Sequence, residues 1–449
     1  MSIAAEFFFL LMFFAASALI HSEKTANKKL FLSFYVTYIF FYDYINYYLG
    51  LAFGADVIVF KLGTEIFLLS ALLKIFLHGR MSVQAIKPLL ACALLVAVAA
   101  IIGLNKGYNP KSIYIDFRSA HLPIIFSIVL IEAGGIKGVK FEHVFKTVVL
   151  LTLFNGVYSI YEYMAFNGNY ENIWRYQSLL NSKMEVNSDY NEAQLAYQMV
   201  RDDNLRAAGF LVSALIAAYI YGFIAIHLIC NILVFKKSRR VFLDGMLLVA
   251  YIVFSYITQV RTSFLMVGIA LLFIYSLKLV KSGKAKQAVA IGASVSLVTG
   301  LFVFLSSNVG VKDASSLGRI AQYNTFFSDL TLLGGGLGSY PRSFDSFYIY
   351  SILELGVFSL ILYYTLFRMS VTRKNPSLEQ KRFGIYTLLQ FSLFLFVCSF
   401  QHISGSMYYF LIVFLLSYNH LSTERKEHYL KNNLPFRVVN PISYEVRHQ

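Results

Sequence analysis

The stretch Ala208–Phe235, AGFLVSALIAAYIYGFIAIHLICNILVF, decides the fold class. It contains no Asp, Glu, Lys or Arg, and it stops at the basic cluster Lys236–Lys237–Ser238–Arg239–Arg240. A helix of about 20 apolar residues crosses the hydrocarbon core of a bilayer. In that medium every backbone polar group must be satisfied within the segment, which favours helix. A barrel strand would alternate apolar with polar residues, and this stretch does not. The same pattern, a long apolar run closed by a short charged cluster, recurs along the chain. Composition agrees with it. Of 449 residues, 57% are hydrophobic and only 14% charged, with a mean hydropathy of +0.61. Soluble domains carry about a quarter charged residues. The balance excludes an ordinary soluble enzyme, a disordered chain and a secreted disulfide scaffold.

Apolar runs predict spans at 3–20, 30–50, 57–77, 89–103, 119–135, 147–166, 208–235, 241–258, 263–280, 287–306, 347–367, 384–400 and 406–420. The expected fold is therefore all-α: one polytopic integral membrane domain over 1–449, with 12–13 transmembrane helices. Lys and Arg set the orientation. One set of connections, including the tail, holds 26 basic residues, and the other set, with the longer loops, holds 11. The first set is predicted to be cytoplasmic, as is the basic tail 421–449, which puts the amino terminus outside. The first segment lacks a basic leader and carries Glu6, so it reads as a span rather than a signal peptide. Two connections, 167–207 and 307–346, are long for a compact fold and are expected as periplasmic loops. Both show helical spacing, in Leu195–Val200 after a capping box at Asp189–Glu192, and in Ile320, Tyr323, Asn324 and Phe327. Short helices lying on the membrane are the expectation.

The chemistry is sparse. The chain has no Walker A motif, HExxH, Cys/His metal spacing, GxSxG or Asp-x-Asp. No cofactor, metal or nucleotide-sugar site is expected. Cys92, Cys230 and Cys398 fall in apolar runs and read as buried thiols. Outside, however, arginines recur at span mouths: Arg118, Arg206, Arg261, Arg319 and Arg342. Guanidinium forks suit bidentate contact with phosphate. The bland alternatives are headgroup contact, or pairing of Arg118 with Asp116 and of Arg206 with Asp202 or Asp203. Arg261 sits in the short turn Thr258–Ser263 with no acid nearby. Asp345 directly precedes a span and reads as a helix cap or a general base. Glu354, on the order of 10 Å deeper in the same helix, needs a partner. It reads as an inter-helix contact, yet remains a candidate substrate contact. Lys61 and Glu65 can pair across one helix turn. His121 and His402 read as satisfied polar groups near the outer surface, with His402 kept among the substrate-binding candidates. Tyr42, Tyr44, Tyr47 and Tyr48 read as an interfacial aromatic belt.

Four stretches give the chain a resemblance to a known family. They are Arg206–Ala207–Ala208–Gly209–Phe210, Gln259–Val260–Arg261–Thr262–Ser263–Phe264–Leu265, Leu317–Gly318–Arg319, and Leu333–Tyr340 leading into Asp345–Tyr348 and Leu353–Glu354–Leu355–Gly356. In order and spacing the chain resembles the O-antigen polymerase (Wzy-type) and ligase superfamily of bacterial envelope glycosyltransferases. Ligases usually carry histidine where Asp345 stands, so the likeness leans to a polymerase. The resemblance implies a metal-independent glycosyltransferase at the periplasmic face of the inner membrane. Its substrates would be undecaprenyl-diphosphate-linked oligosaccharides, and a chain-length regulator is a possible partner. Arg261, Arg206 and Arg319, with Arg118, would hold the donor diphosphate. Asp345 would be the base. An O-antigen ligase and a lipid or polysaccharide transporter are the alternatives.

Overall fold

The structure is a computed structural model. It describes residues 2–54, 57–78, 83–134, 139–166, 169–186, 196, 199–201, 204–235, 241–281, 326–339, 347–360, 378–398, 410–412 and 414–415. These residues are almost entirely helical. The early helices are α1 (Ser2–His21), α2 (Thr25–Phe53), α3 (Ile58–Lys61), α4 (Gly63–His78), α5 (Val83–Asn105), α6 (Pro110–Asp116), α7 (Leu122–Glu132), α8 (Phe141–Phe166) and α9 (Trp174–Val186). They are followed by α10 (Ala214–Cys230), α11 (Val241–Ile257), α12 (Arg261–Lys281), α13 (Phe347–Leu355) and α14 (Leu378–Cys398). Among the described residues three segments, Ile3–His21, Phe141–Phe166 and Ala214–Phe235, are long and apolar enough to cross a membrane. Leu89–Asn105, Val241–Ile257 and Arg261–Leu277 are shorter apolar helices.

Helix α8 shows how these helices divide their faces. Leu150, Phe154, Val157, Tyr161 and Met164 form an exposed apolar stripe. Thr152, Asn155, Ser159 and Glu162 form a buried polar stripe on the other side. A water-soluble helix has the reverse arrangement. In α11 the exposed stripe is Phe242, Met246, Val249, Val253 and Tyr256, while Asp244, Tyr251, Phe254 and Ser255 are buried. A continuous apolar core of residues from α1, α2, α4, α8, α10, α12 and α14 lies between the stripes. Cys92 and Cys230 are buried free thiols.

Every expected span that falls within the described residues contains helix. The span 287–306 lies outside them, as does the tail. The span expected at 89–103 belongs to a longer helix of 23 residues, α5. The span at 57–77 is broken at Leu62 into α3 and α4. Glu6 caps the short piece, its two carboxyl oxygens accepting from the Ile58 and Val59 amides at 2.7 Å each. Gly63 allows the second piece to close up, because a Cβ there would lie 2.7 Å from the Tyr38 hydroxyl. The break falls between Lys61 and Glu65, and the Glu65 carboxylate pairs with Arg118 at 3.2 Å. Helix α13 ends at Gly356, with φ of 78°, inside the expected span 347–367.

The first long loop contains a 3-10 turn at Tyr170–Asn172 and the helix α9. It also contains a two-stranded antiparallel ribbon, β1 (Val200–Arg201) with β2 (Asn204–Leu205), which the helical spacing did not announce. Ala196 and Met199 are helical, and the chain turns to strand at Val200. The switch frees the Met199 carbonyl to accept from the Arg206 amide at 2.8 Å. The capping box Asp189–Glu192 lies outside the described residues. In the second long loop Phe326–Asp329 is helical, while Ile320, Tyr323 and Asn324 lie outside the described residues.

Candidate functional site

The polar features converge on one end of the helices, the end opposite the basic connections. It is formed by the last turns of α2, α5 and α8, the first turns of α4 and α12, and the segments between them. Three constellations stand side by side there.

The first is built on the polar stripe of α8. Glu162 and Arg175 form an ion pair at 3.0 Å, each side chain 1% exposed. The other Glu162 oxygen accepts from the Ala208 and Gly209 amides at 2.9 Å each. Arg175 donates to the Arg206 carbonyl at 2.8 Å. Asn155 accepts from the Phe210 amide at 2.8 Å and donates to the Ala208 carbonyl at 3.0 Å. The Trp174 indole donates to the Gly209 carbonyl at 3.0 Å. Side chains thus hold the irregular stretch Arg206–Phe210 through its own backbone. Such a stretch is tolerated at membrane depth only when buried and satisfied. Gly209 takes φ of 68°, and a Cβ on it would meet the Asn155 carboxamide oxygen at 2.6 Å.

This stretch joins the arginine turn. The Ala207 amide donates to the Ile257 carbonyl at 3.1 Å. Gln259, at φ of 53°, makes the turn. Thr258 and Ser263 close it with hydrogen bonds to the Ser255 and Val260 carbonyls at 2.7 and 3.0 Å. Arg261 then opens α12 as an exposed residue with no ion pair to a described residue. Arg206 is buried, 8% exposed.

The second constellation surrounds Arg118. Its guanidinium pairs with Glu65 at 3.2 Å, donates to the Lys61 carbonyl, and lies 5.0 Å over the Tyr42 ring. Tyr114 donates to the same Glu65 oxygen at 2.7 Å. The expected pairing of Arg118 with Asp116 is therefore corrected. Asp116 ends α6, while Arg118 lies in the five-residue π turn that follows, Phe117–His121. The turn also carries His121 inward: the residue is 1% exposed, and among the described residues neither ring nitrogen meets a hydrogen-bond partner.

The third constellation holds the glycine-rich segment. The Gly335 and Gly336 amides donate to the Leu353 and Glu354 carbonyls at 2.6 and 3.1 Å, and the Leu337 amide donates to the Ala99 carbonyl at 3.0 Å. The Gly338 amide donates to the Asp116 carboxylate at 2.7 Å. Gly336, at φ of 93°, packs on the Gly103 backbone with no room for a Cβ. Tyr350 and the buried Glu354 bring their side chains from α13 against Asp116. Glu354 thus makes an inter-helix contact. Burial pushes the Asp116 carboxyl above its ordinary range, opposed by its contacts with Glu354, Tyr350 and the Gly338 amide.

Helix α2 links the constellations. Tyr42 underlies Arg118, while Phe41 and Tyr44 pack on Phe210 at 5.3 and 4.9 Å. Tyr44 and Tyr47 meet Trp174 at 5.2 and 6.0 Å. Of these tyrosines, expected as an interfacial aromatic belt, Tyr42, Tyr44 and Tyr47 are half-buried and Tyr48 is exposed, at 44%. Among the candidate residues, Arg118, Arg206, Arg261 and Glu354 lie within the described residues, each in its own surroundings. Arg319, Arg342, Asp345 and His402, like Asp202 and Asp203, lie outside the described residues. Glu162, Arg175 and Asn155 were missed. The signal was present in the spacing of Thr152, Asn155, Ser159 and Glu162 along one helix face.

Chemically, the partly exposed Arg118 is a held cationic fork over the Tyr42 ring, and Arg261 is an exposed cation. No protein-family model matches the chain, and no curated protein matches it.

Proposed function

We propose that this chain is a multi-pass enzyme of the bacterial inner membrane that polymerises undecaprenyl-diphosphate-linked oligosaccharide repeats at the periplasmic face. The observation that supports the reading is the hydrogen bond from one of the four family-like stretches to the helix that leads into a second, with part of the fourth folded on itself nearby. The Arg206–Phe210 stretch hydrogen-bonds to the helix before Arg261, and the glycine-rich segment docks on the Glu354 helix, all at one end of the bundle. Thirteen spans would put that end outside, away from the basic connections.

In the proposed reaction an acceptor sugar hydroxyl attacks the anomeric carbon of the donor. The bond from that carbon to the diphosphate oxygen breaks, and undecaprenyl diphosphate leaves with the electron pair. Asp345 takes the hydroxyl proton. Arg261, with Arg118, Arg206 and Arg319, stabilises charge growing on the diphosphate. Arg342, Glu354 and His402 border the sugars. Neither metal nor nucleotide enters the scheme.

The test is reconstitution in liposomes with lipid-linked repeats as sole substrate and a chelator present. A ladder of lengthened lipid-linked glycans supports the reading. No ladder, followed by product once lipid A core is added, turns it to a ligase. Silence under both conditions defeats it.

A further inference from the structure

Asn155 serves the Arg206–Phe210 stretch as a strand partner would. Its Oδ1 accepts from the Phe210 amide at 2.8 Å, and its Nδ2 donates to the Ala208 carbonyl at 3.0 Å. Both bonds need one orientation of the carboxamide. The reverse would set its NH2 against an N–H and its oxygen against a carbonyl. A third contact holds the required orientation: Nδ2 also donates to the Tyr221 hydroxyl at 2.6 Å. Tyr221 comes from α10 and is fully buried, its ring set against Tyr251 and Phe254 at 5.9 and 5.6 Å. Phe254 in turn fills the space over Gly156, leaving no room there for a Cβ. The next residue of α10, Gly222, passes the first turns of α12. A Cβ on it would lie 3.6 Å from the Met266 sulfur and 3.8 Å from the Ser263 Cα.

Two consecutive residues of α10 therefore brace the Arg261 turn from both sides. Tyr221 acts through Asn155 on Arg206–Phe210, which the Ala207–Ile257 hydrogen bond joins to the end of α11. Gly222 lies against the start of α12. We infer that Tyr221 is a positioning residue: its hydroxyl sets the Asn155 carboxamide, and through it the place where the exposed Arg261 leaves the bundle. The inference rests on the proposed function for its catalytic meaning, but the linkage itself is a property of the fold.

A phenol suits the task. Its ring is fixed by packing, and its hydroxyl meets the one carboxamide N–H that the stretch does not use. A buried N–H without an acceptor is costly, so removing the hydroxyl favours rotation of the carboxamide away from the stretch. Glu162 and Arg175 still grip the Ala208 and Gly209 amides and the Arg206 carbonyl. The stretch loosens without being released.

The experiment uses the full-length chain in liposomes and its single tryptophan. Trp174 is 5% exposed and its indole donates to the Gly209 carbonyl at 3.0 Å, so its emission reports on the stretch. A nitroxide on Arg261→Cys reports on the turn, with the labelled unsubstituted chain as background. In Tyr221→Phe the Trp174 emission is expected to shift to the red and to be quenched more readily by acrylamide. The nitroxide spectrum is expected to gain a mobile component. Asn155→Leu should move both signals further, and if it fails to accumulate Tyr221→Phe decides alone. Tyr256→Phe, on the exposed stripe of α11, should move neither. With Arg261 in place and lipid-linked repeats as substrate, Tyr221→Phe should lower kcat about fivefold with KM unchanged, the effect of one lost hydrogen bond on alignment.

Signals in Tyr221→Phe that match the parent, or move no more than those of Tyr256→Phe, overturn the inference. A Trp174 shift with an unchanged nitroxide spectrum overturns the link to Arg261. Moved signals in a protein whose parent makes no polymer leave the linkage standing and remove the proposed function. Polymer from the parent with unmoved signals in Tyr221→Phe does the reverse. Polymer with moved signals and an unchanged kcat strips Tyr221 of its part in the reaction.

Discussion

Glu162 and Arg175 make an ion pair that water does not reach, 3.0 Å apart with 1% of each side chain exposed. Both partners make further hydrogen bonds. Glu162 also receives two consecutive amides, and Arg175 also donates to a carbonyl of the same stretch. A buried pair recovers its desolvation cost only when such extra hydrogen bonds are present. The pair therefore works as a peg for Arg206–Phe210, and through the Ala207–Ile257 hydrogen bond for the Arg261 turn.

Breaking this pair on one side is predicted to be costly. Arg175→Met leaves the Glu162 carboxylate buried without its counter-charge, at about 3–5 kcal/mol. Adding Glu162→Gln removes the stranded charge and keeps one oxygen for the Ala208 and Gly209 amides, so part of the loss returns. Thermal unfolding in detergent measures both. A double variant no more stable than Arg175→Met alone contradicts the peg.

Gly209 offers a sharper test of the same stretch. Gly209→Ala imposes a left-handed residue and drives a methyl into the Asn155 carboxamide, a loss of about 1–3 kcal/mol. Gly245→Ala, in a helix with open space around the position, is expected to be neutral or to gain about 0.5–1 kcal/mol. The two Tm values should move in opposite directions, or at least separate by several degrees.

Arg261 and Arg118 separate binding from folding. Arg261 is exposed and pairs with no described residue, so Arg261→Ala should shift stability by no more than about 0.5 kcal/mol. Under the proposed function it should abolish polymer all the same. Arg118→Lys keeps the charge but cannot serve Glu65, the Lys61 carbonyl and the Tyr42 face together, because the planar fork is lost. It should lower both Tm and polymer yield. Normal polymer from Arg261→Ala removes that residue from the site.

The apolar runs predicted helix wherever the described residues can be compared, because bilayer burial is a rule of length and composition. The breaks in those runs were not legible. The one at Leu62 depends on Glu6, far back in α1, and on the approach of Gly63 to Tyr38 and Phe13. The candidate site divides in the same way. Arginines stood out as a group because their side of the chain is poor in charge. Their individual surroundings did not, since Glu65 lies 53 residues from Arg118 and Gly338 lies 222 from Asp116. Sequence neighbours suggested Asp116 for Arg118, but the helix changes from α to π between them, and each meets a distant partner. The Glu162–Arg175 pair was hidden because a polar stripe inside an apolar run reads as noise until its helical spacing is counted.

The opposite end of the bundle supplies a pH prediction. Glu23 bridges the buried Lys28 and Lys74 at 3.4 and 3.3 Å, fastening α2 to α4 beneath the end of α1. Lys74 also donates to the Ile20 carbonyl at 2.8 Å. The hydrogen bond from Lys74 and the charge of Lys28 hold the Glu23 carboxyl below its ordinary value of 4.5. A carboxylate with a lowered value stabilises the fold above its unfolded value and loses that contribution as pH falls through the folded one. The stability difference between the parent chain and Glu23→Gln should therefore be constant near neutrality. Below pH 4.5 it should shrink, as the parent protonates. Glu23 is exposed, with 72% of its side chain open to solvent, so added salt should reduce the difference as well. Tm measured for both chains across pH and salt reads this directly. A difference that persists undiminished in acid would mean that Glu23 contributes through packing and not through its charge.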